Sequence, residues 1–257
     1  MKKCQAFKIL SKYGSPRDAN VILRGIGERI SSFWIWRAAY QLRRGTPVAK
    51  IIHKKWFYGL EFYTNKYTLD PRPDSETLVE AVLADSKQKI NILDLGTGTG
   101  CLICAIAKNL PDATGIGIDK STRAIRVAKK NVKDLGLDNK IKISKGNFYL
   151  RSSLFALRYF DVIISNPPYI AKGDSRVDSG AMHDPKMALY AGSDGLTAYR
   201  AIAKSAGKHL KTGGKIYLEI GAGQGAAVRD IFESAGWIFA AAHNDLSGTQ
   251  RVMVFSN

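Results

Sequence analysis

The chain has 257 residues, 45% of them apolar, which is enough for one complete α/β domain with a small appendage and excludes disorder as the default. Thirty-nine Lys and Arg against 22 Asp and Glu give a net charge of +17, and residues 1–60 alone hold 13 basic and 2 acidic side chains. No apolar run nears the ~20 residues of a membrane helix. The opening "MKKCQAFKIL" lacks an export signal's apolar stretch, and three cysteines make no disulfide framework. A cytoplasmic protein without membrane contact is the expectation. The basic N-terminal segment would draw weak contact with nucleic acid or an acidic protein surface, or serve only as a solvated face.

Residues 1–44 read as helices. Ser15 and Pro16 form a cap and first-turn pair before Val21, Ile22, Leu23 and Ile26, and "SSFWIWRAAYQLRR" follows until Gly45 and Pro47 break the pattern. Aromatic and polar residues alternate around Gly59, which predicts a hairpin or two short strands. A helix starts at Pro73, with Asp74, Glu76 and Glu80 early and Leu78, Val79, Val82 and Leu83 as its apolar face. From Lys89 strands and helices alternate. Strands are expected at 90–95, 114–118, 141–145, 161–165 and 215–220, then at 237–242 and 251–255 around the polar turn "HNDLSGTQ". This is the pattern of an α/β fold, an open and mostly parallel sheet with helices on both faces. Ligands of such sheets lie beyond the C-terminal strand ends, near the switch in strand order.

"ILDLGTGTG" sets Gly96, Gly98 and Gly100 between an apolar strand and the helical "CLICAIAKNL". Glycines there allow a tight turn and bring backbone N–H groups against a ligand. A dinucleotide fingerprint needs Gly or Ala where Cys101 stands, and no Gly-Lys-Ser/Thr ends the loop as in a Walker motif. The run from Asp94 instead resembles the first motif of S-adenosylmethionine-dependent methyltransferases. Asp119 closes the next strand, where a carboxylate can take both ribose hydroxyls. Asn147 and Phe148 end the third strand and could flank an adenine, or form only a loop and a rim. Cys101 and Cys104 read as buried small apolar residues.

"FDVIISNPPYI" ends a buried strand in a polar amide, two prolines and a tyrosine. The Asn166 side-chain oxygen and the Pro167 backbone carbonyl can accept both N–H bonds of a planar –NH2 group. That grip favours the pyramidal nitrogen whose lone pair faces a methyl donor. Pro167 and Pro168 freeze the acceptors in place, and Tyr169 offers a stacking face. No basic catalytic side chain is required and no metal is expected.

"PRPDSETLVE", "LDLGTGTG", "FDVIISNPPYI", "DPKMALYAGSDGLTAYR" and "GGKIYLEIGAGQ" together resemble the HemK/PrmC family, the peptide chain release factor N(5)-glutamine methyltransferases, from about residue 43 onward. Asn-Pro-Pro-Tyr is shared with base amino-methyltransferases; "ALYAGSDGL" is more restrictive. The resemblance implies a Rossmann-like class I methyltransferase domain at 74–257 with a seven-stranded sheet, a hairpin linker at 43–73 and a shortened helical substrate-recognition domain at 1–42. It implies methyl transfer from S-adenosyl-L-methionine, leaving S-adenosyl-L-homocysteine, to the glutamine amide of the Gly-Gly-Gln motif in class 1 release factors, by a monomer. Family roles carried over put Gly96, Thr97, Gly98, Thr99 and Gly100 at the methionine end, Asp119 on the ribose and Phe148 near adenine. Asn166, Pro167, Pro168 and Tyr169 hold the acceptor amide, with Asn166 also beside the cofactor. Pro71, Arg72, Pro73 and Glu76 match a segment that closes one side of the pocket, and Glu219 and Gln224 match a family stretch after the fifth strand, in a site role or a buried structural one.

The family has a larger helical domain than the first 42 residues here supply, which implies an internal shortening. Three other readings stand beside this one. A base amino-methyltransferase suits the basic N-terminus, but only 88 residues follow Tyr169, too few for a base-gripping domain. A relative that methylates a ribosomal-protein glutamine has the same residues. A non-catalytic binding module would have little use for Asn166 and Asp119.

Overall fold

The computed structural model describes residues 1–27, 30–86, 89–149, 159–174 and 182–257. Helices α1 (Lys3–Ser11), α2 (Pro16–Gly25), α3 (Ser32–Arg43) and α4 (Val48–Ile52) form the N-terminal unit. Ser15 caps α2 through a reciprocal pair: its hydroxyl accepts from Asp18 N at 3.1 Å, while Asp18 accepts from Ser15 N at 3.0 Å. Ile35, Ala38, Ala39 and Leu42 recur at helical spacing on α3 and bury against Leu10, Ile22 and Ile51. The other face of α3 carries Phe33, Trp36 and Tyr40, exposed by 78%, 54% and 59%. Helix α4 escaped the sequence pattern because its five residues show less than two turns of periodicity.

Strands β1 (Lys54–Phe57) and β2 (Leu60–Tyr63) pair across a two-residue turn, Tyr58 and Gly59, both with positive φ. Such a turn strains a tyrosine, and Glu76 Oε1 holds it by accepting Tyr58 N at 2.7 Å. Glu76 therefore anchors the hairpin and does not close the pocket. Pro73–Ser75 is a 3-10 turn, so α5 begins at Glu76 (Glu76–Asp85), later than Pro73 suggested.

The main domain continues with β3 (Asn91–Leu95), α6 (Cys101–Asn109), β4 (Thr114–Asp119), α7 (Thr122–Asp134), β5 (Ile141–Lys145), β6 (Phe160–Ser165), α8 (Lys186–Leu189), α9 (Thr197–Ser205), β7 (Leu210–Glu219), α10 (Gly225–Ser234), β8 (Ile238–Asn244) and β9 (Gln250–Ser256). The sheet order is β5-β4-β3-β6-β7-β9-β8, with the first five strands parallel and β9 antiparallel to both of its neighbours. Strand β7 starts five residues before the expected 215, since Leu210 already pairs with Phe160 across a register shift. Order reverses between β3 and β6, whose C-terminal ends carry the glycine loop and Asn166. One apolar layer, including Leu78, Val82, Ile103 and Val132, covers one face; Tyr199, Ile202, Phe232 and Trp237 cover the other. Burying each such side chain contributes about 1.5–3 kcal/mol. Among the described residues no helix is long and apolar enough to cross a membrane.

Candidate active site

Three of the loop residues after β3 are left-handed, with φ of 75° at Gly96, 55° at Gly98 and 79° at Gly100. Gly96 N and Thr97 N both donate to the Ile118 carbonyl at 2.9 Å, which ties the loop to the end of β4. A Cβ on Gly96 would lie 3.3 Å from the Phe148 ring, so only glycine admits that ring over the loop. Buried Asp94 accepts the Thr97 hydroxyl at 2.6 Å, and burial pushes its carboxyl up to about 7. Asn131, buried in the last turn of α7, accepts from Tyr63 N and donates to Tyr63 O and Thr99 O, clamping the hairpin and the loop to one helix. A lone helical asparagine gives no sequence sign of that task.

Asp119 ends β4 and splits its carboxylate between Gly98 N (3.0 Å) and Ser121 N (2.7 Å); burial raises its pKa. With Lys120 N also approaching it, the carboxylate still has lone-pair capacity left for a hydroxyl. These groups, with Asn147, Phe148 and Asn166, line a cavity of about 340 Å³, a size that suits a small-molecule cofactor. The donor set fits S-adenosylmethionine: a glycine cradle, one strand-end carboxylate and an aromatic ring, with no Walker lysine. Cys101 lines the cavity as an unreactive thiol, pushed up to about 12 by burial, and buried Cys104 is raised likewise.

A second cavity, about 620 Å³, opens beside the first and includes Asp74, Tyr169, Glu219, Gln224 and Arg251 in its wall. Leu69, Arg72, Asn166 and Ala188 line both. Asn166 thus stands between the two spaces. It follows Ser165, whose buried hydroxyl donates to Leu95 O at 2.7 Å and stitches β6 to β3. The Asn166 Nδ2 donates to Ser75 Oγ at 3.1 Å, and the Ser75 hydroxyl donates to Glu219 Oε2 at 2.5 Å. Burial outweighs these donors and pushes Glu219 up to about 7. The Tyr169 carbonyl accepts Gln224 Nε2 at 2.9 Å, and Gln224 Oε1 accepts Gly221 N. Gly195, at φ 76°, packs so near that a Cβ there would sit 2.3 Å from the Tyr169 carbonyl oxygen. Burial, then the Glu219 charge, pushes the Tyr169 phenol up to about 12, so it stays protonated at neutral pH.

Lys50 of α4, 5% exposed, sits between Asp70 (2.8 Å) and Asp184 (2.9 Å); Asp184 also takes Arg72 at 2.9 Å. The ammonium further donates to the Asn65 and Thr68 carbonyls. Two cations thus balance two carboxylates, joining the helical unit to the wall the two cavities share. Sequence reading missed this cluster. Its one trace is the pair of Asp-Pro steps, Asp70-Pro71 and Asp184-Pro185, far apart in the chain. Gly96, Thr97, Gly98, Thr99, Asp119, Phe148, Asn166 and Pro168 converge on one cavity and Tyr169 lines the neighbouring one, while Gly100 and Pro167 are in the lining of neither.

Comparison with known proteins agrees with this geometry. Residues 68–184 match the methyltransferase small domain. A methyltransferase from Pyrococcus furiosus superposes with a TM-score of 0.58 at 16% identity, covering 78% of this chain and 90% of that one. The catalytic domain of hMettl16, solved in complex with MAT2A 3'UTR hairpin 1, gives 0.62 at 17% identity, covering 77% and 75%. At such identities the likeness is one of fold. The fold is that of the class I S-adenosylmethionine-dependent methyltransferases.

Sequence relatives narrow the class. A release factor glutamine methyltransferase of Cereibacter sphaeroides is 39% identical over 209 residues, 80% of this chain and 73% of that protein. That of Agrobacterium fabrum is 40% identical over 222 residues, 82% and 74%. A bifunctional methyltransferase of Rickettsia felis is 34% identical over 284 residues, 97% of this chain and 53% of that protein. The chain belongs to the release factor glutamine methyltransferase family.

Proposed function

We propose that the chain transfers a methyl group from S-adenosylmethionine to the side-chain amide nitrogen of the Gly-Gly-Gln glutamine in class 1 release factors. The observation that carries this is Asn166 standing in the wall between a cofactor-sized cavity and a second, open one. Family membership supports the acceptor. Gly96 to Gly100 hold the methionine end, Asp119 the ribose and Phe148 the adenine side. Bound there, S-adenosylmethionine supplies a methyl carbon made electrophilic by its sulfonium. The acceptor amide enters from the second cavity and stacks on Tyr169.

Asn166 Oδ1 and the Pro167 carbonyl accept its two N–H bonds, which turns the nitrogen lone pair out of conjugation and toward the donor. Holding the nucleophile this way supplies orientation, and the fixed dipoles oppose no charge that develops. An N-alkylated amide nitrogen is strongly acidic, so its extra proton passes to water without a strong base.

We also assign 1–42 to substrate recognition, 43–73 to a linker whose helix α4 packs into the helical unit, and 74–257 to catalysis. The bare aromatic face of α3, with exposed Arg37, Arg43 and Arg44 beside it, supports contact with the release factor's body. The Rickettsia felis alignment is longer than this chain, so that relative has positions that are missing here, in keeping with a shortened helical unit. We further propose that it acts as a monomer.

The test is to incubate the protein with labelled donor, a release factor, a ribosomal-protein mixture and nucleic acid, and to locate the label by peptide sequencing. Label on the Gly-Gly-Gln glutamine is expected. Label on a base or on another protein would overturn the reading.

A further inference from the structure

We infer that Ser75 and Glu219 are positioning residues that decide which end of the Asn166 carboxamide faces the acceptor. The inference rests on the role given to Asn166 above and adds to it how that role is secured. A primary amide is nearly symmetric in shape, so packing alone barely distinguishes oxygen from nitrogen. Turned the wrong way, Asn166 would present N–H to the acceptor's own N–H and hold nothing. The choice must therefore come from hydrogen bonds behind the amide.

Behind it stands a short chain, Asn166 Nδ2 to Ser75 Oγ at 3.1 Å, then Ser75 hydroxyl to Glu219 Oε2 at 2.5 Å, and the Asn166 amide also approaches the Glu219 carboxylate directly as a donor. Ser75 and Glu219 are 2% and 1% exposed, so little of either is open to competing water. A carboxylate only accepts, so the single Ser75 proton must point at Glu219. The Ser75 lone pairs then face Asn166 and demand an N–H. This puts Nδ2 behind and leaves Oδ1 for the acceptor. The three residues come from the 3-10 turn before α5, the end of β7 and the end of β6, so only the folded sheet assembles them.

Protonating Glu219 reverses the chain. Its new O–H donates to Ser75, the Ser75 proton swings toward Asn166, and the amide flips to offer oxygen in return. The groups facing Glu219 are Asp74 and Ser75 from the turn, Cys101 from α6, Asn166 and Tyr169 after β6, Tyr199 from α9, whose hydroxyl donates to the Glu219 carbonyl at 2.9 Å, and Arg251 from β9. Of these Arg251 is the cation. Asp245 at 3.0 Å and Asp74 at 3.3 Å share it, so its help to Glu219 is divided. Burial therefore prevails, and the carboxyl titrates at about 7.

The experiment measures kcat for methylation of a full-length release factor at saturating donor, from about pH 5.5 to about pH 9. Wild type is expected to lose about tenfold per pH unit below an apparent pKa near 7. Glu219→Gln keeps an oxygen for Ser75 but has no charge to lose, so that acid limb vanishes. Asp94 on the cofactor side is untouched by this change and does not account for its loss. Ser75→Ala is expected to lower kcat about 10- to 100-fold with donor affinity within about twofold, and Ser75→Thr to restore most of it. An unchanged acid limb in Glu219→Gln, or wild-type kcat in Ser75→Ala, would overturn the inference. A readout free of turnover separates it from the proposed function. The Asn166 side-chain 15NH2 resonance should be protected from exchange in wild type and lose protection in Ser75→Ala, whether or not a glutamine is ever methylated. Equal protection in both refutes the relay even in an active enzyme.

Discussion

The two cavities that meet at Asn166 are built in opposite ways. The cofactor side draws on short stretches at consecutive strand ends: the loop at 96–100, Asp119, then Asn147 and Phe148. Its polar partners are largely backbone N–H groups close in sequence, as with Asp119 on Gly98 and Ser121. The acceptor side gathers Asp74, Tyr169, Glu219 with Gln224, and Arg251 from four distant places and holds them by side-chain bonds. A donor common to many enzymes can be held by a local motif. A particular acceptor is held by whatever the completed fold brings together.

The substitution with the largest expected effect tests whether the wall between the cavities is one structure. Lys50→Ala leaves two buried carboxylates with, among the described residues, only Arg72 for balance and should cost about 3–5 kcal/mol in denaturant unfolding. Both donor and acceptor affinity should weaken together; loss of one alone would show that the cavities are independent. Asn166→Ala should sharpen the contrast, cutting kcat about 10²- to 10³-fold while calorimetry finds donor affinity nearly unchanged. Asp119→Ala does the converse, weakening the donor about 10- to 100-fold with little effect on acceptor KM, and an unaltered donor Kd removes it from the cofactor side. Trp36→Ala should lower affinity for a whole release factor roughly tenfold and leave a short glutamine peptide unaffected. Equal effects on both would make α3 a matter of stability.

Each side also holds one carboxyl pushed up to about 7, Asp94 and Glu219. Both are raised by folding, so the native chain binds more protons than the unfolded one between about pH 4 and about pH 7. Their contribution to stability is full below that window and is lost as pH rises through about 7. The thermal midpoint of the free protein should therefore fall from about pH 5 to about pH 7.5, and fall less in Glu219→Gln. Asp194 and Asp245, held down at about 2 by hydrogen bonds, act only in stronger acid.

This contrast also explains what the sequence disclosed. Period-two apolar runs and their turns located all seven sheet strands to within a few residues, except β7, whose first half carries Lys211, Thr212 and two glycines in place of an apolar run. The cofactor residues were legible because glycine spacing and a strand-end acid are local signals. Asn166 was legible because two prolines after an amide have few other uses. Lys50, Asn131 and Ser75 were not, since a lysine, an asparagine and a serine look ordinary until folding buries them among distant partners. Glu76 belongs to a segment matched to the pocket wall with its own role left open, and the fold gives it to the hairpin turn.

Gly195 shows where this catalyst tolerates least. Its α-hydrogen is all that fits against the carbonyl of Tyr169, so the smallest change available, a methyl, would lever that carbonyl away from Gln224 and tilt the proline pair upstream. Evolution can enlarge either chamber by trimming side chains, but at this crossing of two loops the chain has already been trimmed to nothing.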